Sequence, residues 1–344
     1  MEISDEKVRN LNALTDAAGV IAALAIDQRK SLRRPIAAFR GVAPEDVTDD
    51  MLAEFKSALT RVLTPFASAV LLDPEYGLEA GCLRSSGTGL LLTYEADGFE
   101  NPRPNRMLAL LPGVSVERLK AWGANGVKIL LSYTPFDDPR ANDEKRALIE
   151  RVGNECAGAG LPFLLEFVGY DAQGSDEAGF EFAKLKPEIV IRSMQEFSRD
   201  IYKVDVMKVQ VPVNAAFMEG SCVYKGRRAY SYAEALELYR RASEAAGKPF
   251  VYLSAGVSHE EFTESLRMAA EAGAEFSGIL CGRATWKDGI PVYARHGVPA
   301  LEDWLADRGV QNMLAVNELV RGAVPWQNKL LGTHPAQPVA ESFR

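Results

Sequence analysis

Charged side chains set inside apolar, β-branched runs are the first sign of chemistry in this chain. Lys208 stands in VDVMKVQVP, Glu166 in PFLLEFVGY and Lys128 in GVKILLSY, while Asp27 closes GVIAALAID and is followed by Gln28 and Arg29. A strand alternates its side chains between two faces, so Lys208 shares a face with Val206 and Gln210 and points into the interior of a sheet barrel or into a layer of helices. Either place is costly for an ammonium. Burial, and a nearby cation such as Lys128, disfavour its charged form, and a neutral amine is a nucleophile toward a carbonyl. Glu166, flanked by Leu165 and Phe167, is suited by the same burial to give or take a proton near neutrality. The alternative for each is an internal salt bridge, Lys208 with Glu166 or Asp27 and Glu166 with either lysine. Four structural ions on four converging strands would be hard to satisfy, which favours a reactive site made of Asp27, Lys128, Glu166 and Lys208.

A second pattern suits phosphate. Ser254, Ala255 and Gly256 follow one apolar run, and Cys281, Gly282 and Arg283 follow the next. Gly256 and Gly282 permit close backbone approach and Arg283 supplies charge for an anion. Other features carry blander readings. DPEYG at 73–77 either touches a sugar hydroxyl or closes a loop, with the loop favoured, and Trp286 packs the fold rather than stacking on a substrate. His259, His296 and His334 are scattered and form no histidine cluster for a metal.

The elements that must position these residues alternate. Apolar runs lie at 19–27, 68–76, 89–95, 126–133, 162–170, 204–212, 249–256 and 276–283, nearly all apolar through the middle, as strands covered on both faces must be. Helical patterns fall between them. Residues 49–65 carry Met51, Leu52, Phe55, Leu59 and Leu63 at steps of three and four after a Thr48-Asp49 cap. Further helices open at Ser115, at Ser231 with an end at Gly247, and at Ser258, where Glu261 offers a capping box and Gly273 a stop. Eight such units read as an α/β protein, a (β/α)8 TIM barrel, in which chemistry sits at the C-terminal ends of the strands and phosphate at the loops after strands seven and eight. A doubly wound open sheet also accepts the alternation. Residues 1–18 read as a helix covering the bottom of the barrel, 19–325 as the barrel and 326–344 as a C-terminal tail, a loose terminus or the arm of a homo-oligomer, with Pro335 and Pro338 near its end.

Composition sets the outer limits. The 344 residues include 39 Lys and Arg against 47 Asp and Glu, a net charge of −8, so no general basic surface is available for nucleic acid. The apolar runs are too short to cross a bilayer, and MEISDEKVRN lacks the charge order and apolar core of a signal peptide. A cytoplasmic protein is expected. Cys82, Cys156, Cys222 and Cys281 are far apart without a CxxC pair, which suits free thiols rather than a disulfide framework or a zinc site.

Read together, ALAIDQR, LLDPEYG, GVKILLSY, PFLLEFVGYD, VDVMKVQVPVN, YLSAGVSHEEF, GILCGRATW and VPWQNK resemble the class I tagatose 1,6-bisphosphate aldolases over almost the whole chain. The resemblance implies a metal-independent lyase without a separate cofactor, acting on a small sugar phosphate. Lys208 would form a Schiff base with the ketose, Glu166 would transfer protons beside Asp27 and Lys128, and Gln28, Arg29, Ser254, Gly256, Gly282 and Arg283 would bind substrate and phosphate. The chain departs from the family pattern at Lys30, where glycine is usual, at Gln210, where an acid is usual, and in YTPFDDPRAN after the fourth run. These departures bear on substrate identity, and they leave a sulfofructose 1-phosphate aldolase, or a sugar-phosphate-binding barrel without catalysis, as the alternatives.

Overall fold

Each of the eight apolar runs forms a strand that pairs in parallel with its neighbours in sequence, and the eighth closes on the first. The strands of the computed structural model, which describes residues 3–96 and 104–332, are β1 (Ile21–Ala25), β2 (Ala69–Leu72), β3 (Gly89–Thr93), β4 (Gly126–Ser132), β5 (Phe163–Val168), β6 (Val206–Val209), β7 (Phe250–Leu253) and β8 (Gly278–Cys281). All lie within the segments predicted from sequence. The ends of those segments belong to the loops, because pairing stops where the chain turns toward the next helix. Closure excludes the doubly wound alternative. No helix among the described residues is long and apolar enough to cross a membrane.

The period of two divides the hydrophobic residues into two separate cores. Ala22, Leu24, Val70, Leu72, Val127, Ile129, Leu165, Phe167, Met207, Val209 and Tyr252 pack between the sheet and the helices. Their alternates, among them Ala23, Ala25, Leu71, Leu91, Leu164, Val206, Val251 and Leu280, fill the inside of the barrel. Parallel strands buried on both faces are therefore apolar throughout, and a polar residue at an inner position is conspicuous.

Helix starts follow the capping chemistry. Thr48 accepts from the Met51 amide at the head of Asp49–Leu63, and Ser115 accepts from Arg118 ahead of Val116–Ala121. The full reciprocal box is that of Ser231 and Glu234, heading Tyr232–Ala245. At Ser258, where the sequence suggested the box, the hydroxyl accepts from the Glu261 amide at 3.1 Å, and among the described hydrogen bonds Glu261 makes no return bond.

The bottom of the barrel is plugged from both ends of the chain. Helix Asp5–Ala13 brings Leu11 and Leu14 into the inner core, tied down by Lys7, whose Nζ lies 2.6 Å from Asp205. The close approach requires Gly89 and Gly126. A Cβ on Gly89 would meet the Ala13 carbonyl at 2.2 Å, and one on Gly126 would meet Leu91 at 2.8 Å and Leu14 at 3.1 Å. From the other end, Trp326 in Trp326–Leu330 is fully buried in the same inner cluster. The Pro335 and Pro338 tail lies outside the described residues.

Because Trp326 fills the barrel floor, Trp326→Ala is expected to destabilise the fold by about 3–5 kcal/mol, the range for removing a large buried aromatic side chain. A lowered urea midpoint with an unchanged slope checks this; an unchanged midpoint would place the residue outside the cooperative core.

Candidate active site

Lys128, Glu166 and Lys208 each stand between outward-facing residues of their strands, so all three point into the barrel above the apolar inner core. They meet Asp27 at the C-terminal mouth, in a cavity of ≈ 530 Å³. The sequence left open whether Lys208 faces the barrel or the helix layer; it faces the barrel. Glu166 and Lys208 are register partners across β5 and β6, and Lys208 Nζ lies 2.8 Å from Glu166 Oε2.

Lys128 is the hub. Its Nζ lies 2.9 Å from Asp27 Oδ2, 2.8 Å from Glu95 Oε1 and 2.8 Å from Glu166 Oε2. Three carboxylates surround this one ammonium, which donates hydrogen bonds to Asp27 and Glu95 and pairs with Glu166 by charge. Burial works against the charge of Lys128, but Asp27, Glu166 and Glu95 outweigh it and hold its pKa well above the usual lysine value. Burial likewise opposes the charge of Asp27, yet Lys128 and Lys208 hold its carboxyl well below the ordinary range. Lys128 is thus a fixed cation held by three carboxylates, whereas Lys208 meets a single one. Of the two lysines, Lys208 has the geometry of a nucleophile.

Glu95 escaped the sequence reading. It finishes the third apolar run, GLLLTYE, just as Asp27 finishes the first, and that signal would have sufficed to find it. Burial pushes its carboxyl up despite Lys128 and Arg29, and its Oε2 is buried without a hydrogen-bond partner.

A second layer holds these groups in place. Lys56, fully buried on Asp49–Leu63, donates to the carbonyls of Ile26 at 2.7 Å and Gln28 at 2.8 Å and pairs with Asp73. It grips the backbone on both sides of Asp27. Asp73 also accepts from the amides of Glu75 at 3.1 Å and Tyr76 at 2.8 Å, so DPEYG closes a loop and its first acid is structural. Arg29 lines the cavity, but its guanidinium is engaged by the Glu75 carboxylate and, at 3.0 Å, by the Glu95 carbonyl. Gln28 donates to Asp27 at 3.3 Å. Gln210 accepts from the Gly169 amide at 2.9 Å and lines the wall. Trp286 is fully buried, its indole N–H donating to the Ala25 carbonyl at 3.0 Å.

The loops after β7 and β8 meet as the sequence suggested. Ala255 and Gly256 turn in the left-handed region with φ of 50° and 78°. A Cβ on Gly256 would come within 2.7 Å of the Arg283 guanidinium carbon, so glycine is what lets Arg283 lie over this loop. Ser254 is buried beside them, its Oγ 3.5 Å from the Gly282 amide. Among the described residues no carboxylate pairs with Arg283, which therefore faces the cavity with its charge unspent. Also among the described residues, no group of three or more His, Cys, Asp and Glu is arranged to hold a metal ion.

Residues 21–288 match the model of the DeoC/LacD family aldolases. The chain is 46% identical over 321 residues to tagatose 1,6-diphosphate aldolase 2 of Enterococcus faecalis, covering 93% of this chain and 95% of that one. It is 42% identical to the tagatose 1,6-diphosphate aldolase of Listeria monocytogenes, covering 96% of each. Among solved structures, fructose-bisphosphate aldolase from Plasmodium falciparum shares the fold at a TM-score of 0.62 and 16% identity, covering 92% of this chain and 96% of that one. A Schiff base forming fructose-1,6-bisphosphate aldolase does so at 0.55 and 17%, covering 91% and 98%.

The hub makes a testable statement about stability. Lys128→Met would leave three carboxylates without their shared cation, at a cost near neutral pH of about 3–5 kcal/mol, the range for breaking a buried ion pair. Asp27 has a folded pKa below its unfolded value, so its stabilising contribution is present above about pH 4 and is lost as pH falls further. The gap between wild type and variant should accordingly shrink below about pH 4. Denaturation measured across pH checks this; a gap independent of pH would refute the ionic account.

Proposed function

The chain belongs to the DeoC/LacD aldolase family, and we propose from this and from the Lys208 site that it is a class I tagatose 1,6-bisphosphate aldolase. It reversibly cleaves the ketose to dihydroxyacetone phosphate and glyceraldehyde 3-phosphate. The observation that carries the reading is the pairing of Lys208, 2.8 Å from a single carboxylate, with a neighbouring lysine that three carboxylates hold charged.

The chemistry follows from charge. Glu166 accepts a proton from Lys208, whose amine attacks the ketone carbon and, with loss of water, forms an iminium. The iminium draws in the electrons of the C3–C4 bond while a carboxylate takes the C4 hydroxyl proton, and the aldehyde departs. Protonation of the enamine carbon and hydrolysis then release dihydroxyacetone phosphate and restore the amine. Three carboxylates and two ammoniums sum to one negative charge, and moving a proton from Lys208 to Glu166 leaves that sum unchanged while freeing the nitrogen lone pair. When Glu166 gives that proton to the departing hydroxyl, the cationic iminium stands where the ammonium stood, so fixed carboxylates favour the covalent intermediate without rearranging.

Arg283, with Ser254, Gly256 and Gly282, takes the phosphate nearest the ketone. Its bidentate grip aligns the carbon with Lys208 as well as holding the substrate. With all four cysteines free, we read the enzyme as cytoplasmic.

Borohydride added with dihydroxyacetone phosphate should inactivate the protein and leave a covalent adduct on Lys208, while activity persists in chelator. Lys208→Ala should lose both adduct and turnover. Arg283→Ala should raise KM for the bisphosphate by about 10- to 100-fold, the worth of a charged hydrogen bond. Coupled assays with tagatose, fructose and sulfofructose phosphates identify the ketose. Turnover abolished by chelator, or retained in Lys208→Ala, would overturn the mechanism.

A further inference from the structure

A ketose bisphosphate carries two dianions, and the loops after β7 and β8 account for one. The closed strand order places β3 and β4 across the barrel from β7 and β8. A substrate held at its ketone by Lys208 and at its first phosphate by Arg283 therefore extends its far end toward β3 and β4. The cation there is Arg106. The chain leaves β3 and returns beside it, with the Ala96 amide donating to the Ala109 carbonyl at 2.8 Å and the Leu111 amide to the Tyr94 carbonyl at 3.0 Å. This return sets Arg106 on the rim of the same cavity.

Three observations mark Arg106 as a ligand for an anion rather than a structural cation. Its backbone, like that of Asn105, sits in the left-handed region with φ of 51° and 56°, a conformation disfavoured without glycine and common where function holds it. Its guanidinium lies 4.3 Å from the centroid of the Tyr170 ring. That ring is itself fixed, the hydroxyl accepting from buried Lys145 at 2.7 Å and donating to Asp137, so the guanidinium rests on a rigid platform. Finally its partner is replaceable. Glu177 lies 2.6 Å away on the same rim, and both side chains are about one-third exposed, at 35% and 34%. Such a pair is worth little, and a phosphate dianion offers more charge and more acceptor oxygens to the same fork. Arg29, the other guanidinium near that side, already serves Glu75 and the Glu95 carbonyl from a buried position.

We propose that Arg106, supported on Tyr170, binds the second phosphate of the substrate, the one leaving on the aldehyde product, by exchanging Glu177 for it. The proposal rests on the aldolase reading above and adds a specificity element to it. Glu177 then acts as a placeholder that keeps the guanidinium aimed before substrate arrives and competes with the phosphate for it.

The test runs the reaction in the condensation direction, with dihydroxyacetone phosphate and either glyceraldehyde 3-phosphate or unphosphorylated glyceraldehyde. The readout is the ratio of kcat/KM for the two aldehydes. Arg106→Ala should lower this ratio by about 10- to 100-fold, the loss of a charged hydrogen bond, with the change in KM. Glu177→Gln should raise the ratio by removing the competitor. A general loss of folding or catalysis affects both aldehydes and leaves the ratio alone. A ratio unmoved in Arg106→Ala, or lowered in Glu177→Gln, would overturn the proposal. Failure of the aldolase reading would look different, since the wild-type protein would then form no condensation product with either aldehyde.

Discussion

The buried ammonium of Lys128 dictates the arrangement around it. An uncompensated charge at the centre of a barrel would cost several kcal/mol. Asp27, Glu95 and Glu166 come from the ends of three different strands to satisfy it. One of the three, Glu166, also reaches Lys208. The hub therefore fixes the carboxylate that pairs with Lys208, and it supplies negative surroundings that suit the cationic intermediate proposed above. Moving any strand end by an ångström would disturb both the ion balance and the alignment of Lys208.

The scaffold is built to prevent that movement. Lys56 clamps the carbonyls on both sides of Asp27, and Arg29 bridges the turns after the first three strands through Glu75 and Glu95. Below, an apolar inner core closed by Leu14 and Trp326 keeps water from the floor of the site. The lower barrel thus bears the stability and the upper barrel the chemistry, a division the fold allows because its strand ends and its loops vary independently of its packing.

Charge is also divided by radius. Carboxylates crowd the centre, while Arg283, after β8, and Arg106, between β3 and β4, both line the cavity. A substrate with an anion at each end and hydroxyls between suits this pattern, its phosphates kept away from the central acids. Gln210, accepting from the Gly169 amide, supplies a neutral wall and spares the cavity another negative charge.

The strand count, the order of elements, most helix starts and the convergence of Lys208, Glu166, Lys128 and Asp27 on one site were all legible in the sequence. Each rests on local rules, a period of two or three to four residues, a capping side chain, or a charge lodged in an apolar run. Glu95 was legible by the same rule, as the acid finishing the third run. Tertiary structure alone decided the rest. A period of two says which residues share a face but not which face is inside, and closure of the barrel settled that for Lys208. It made Asp73 the structural partner of Lys56, gave Lys128 three acids where a single salt bridge had been weighed, and tied Arg29 to Glu75 and the Glu95 carbonyl. It also brought Arg106 to the mouth of the cavity. Those outcomes depend on distances across the barrel between residues remote in the chain, and such distances exist only once the eight strands have closed.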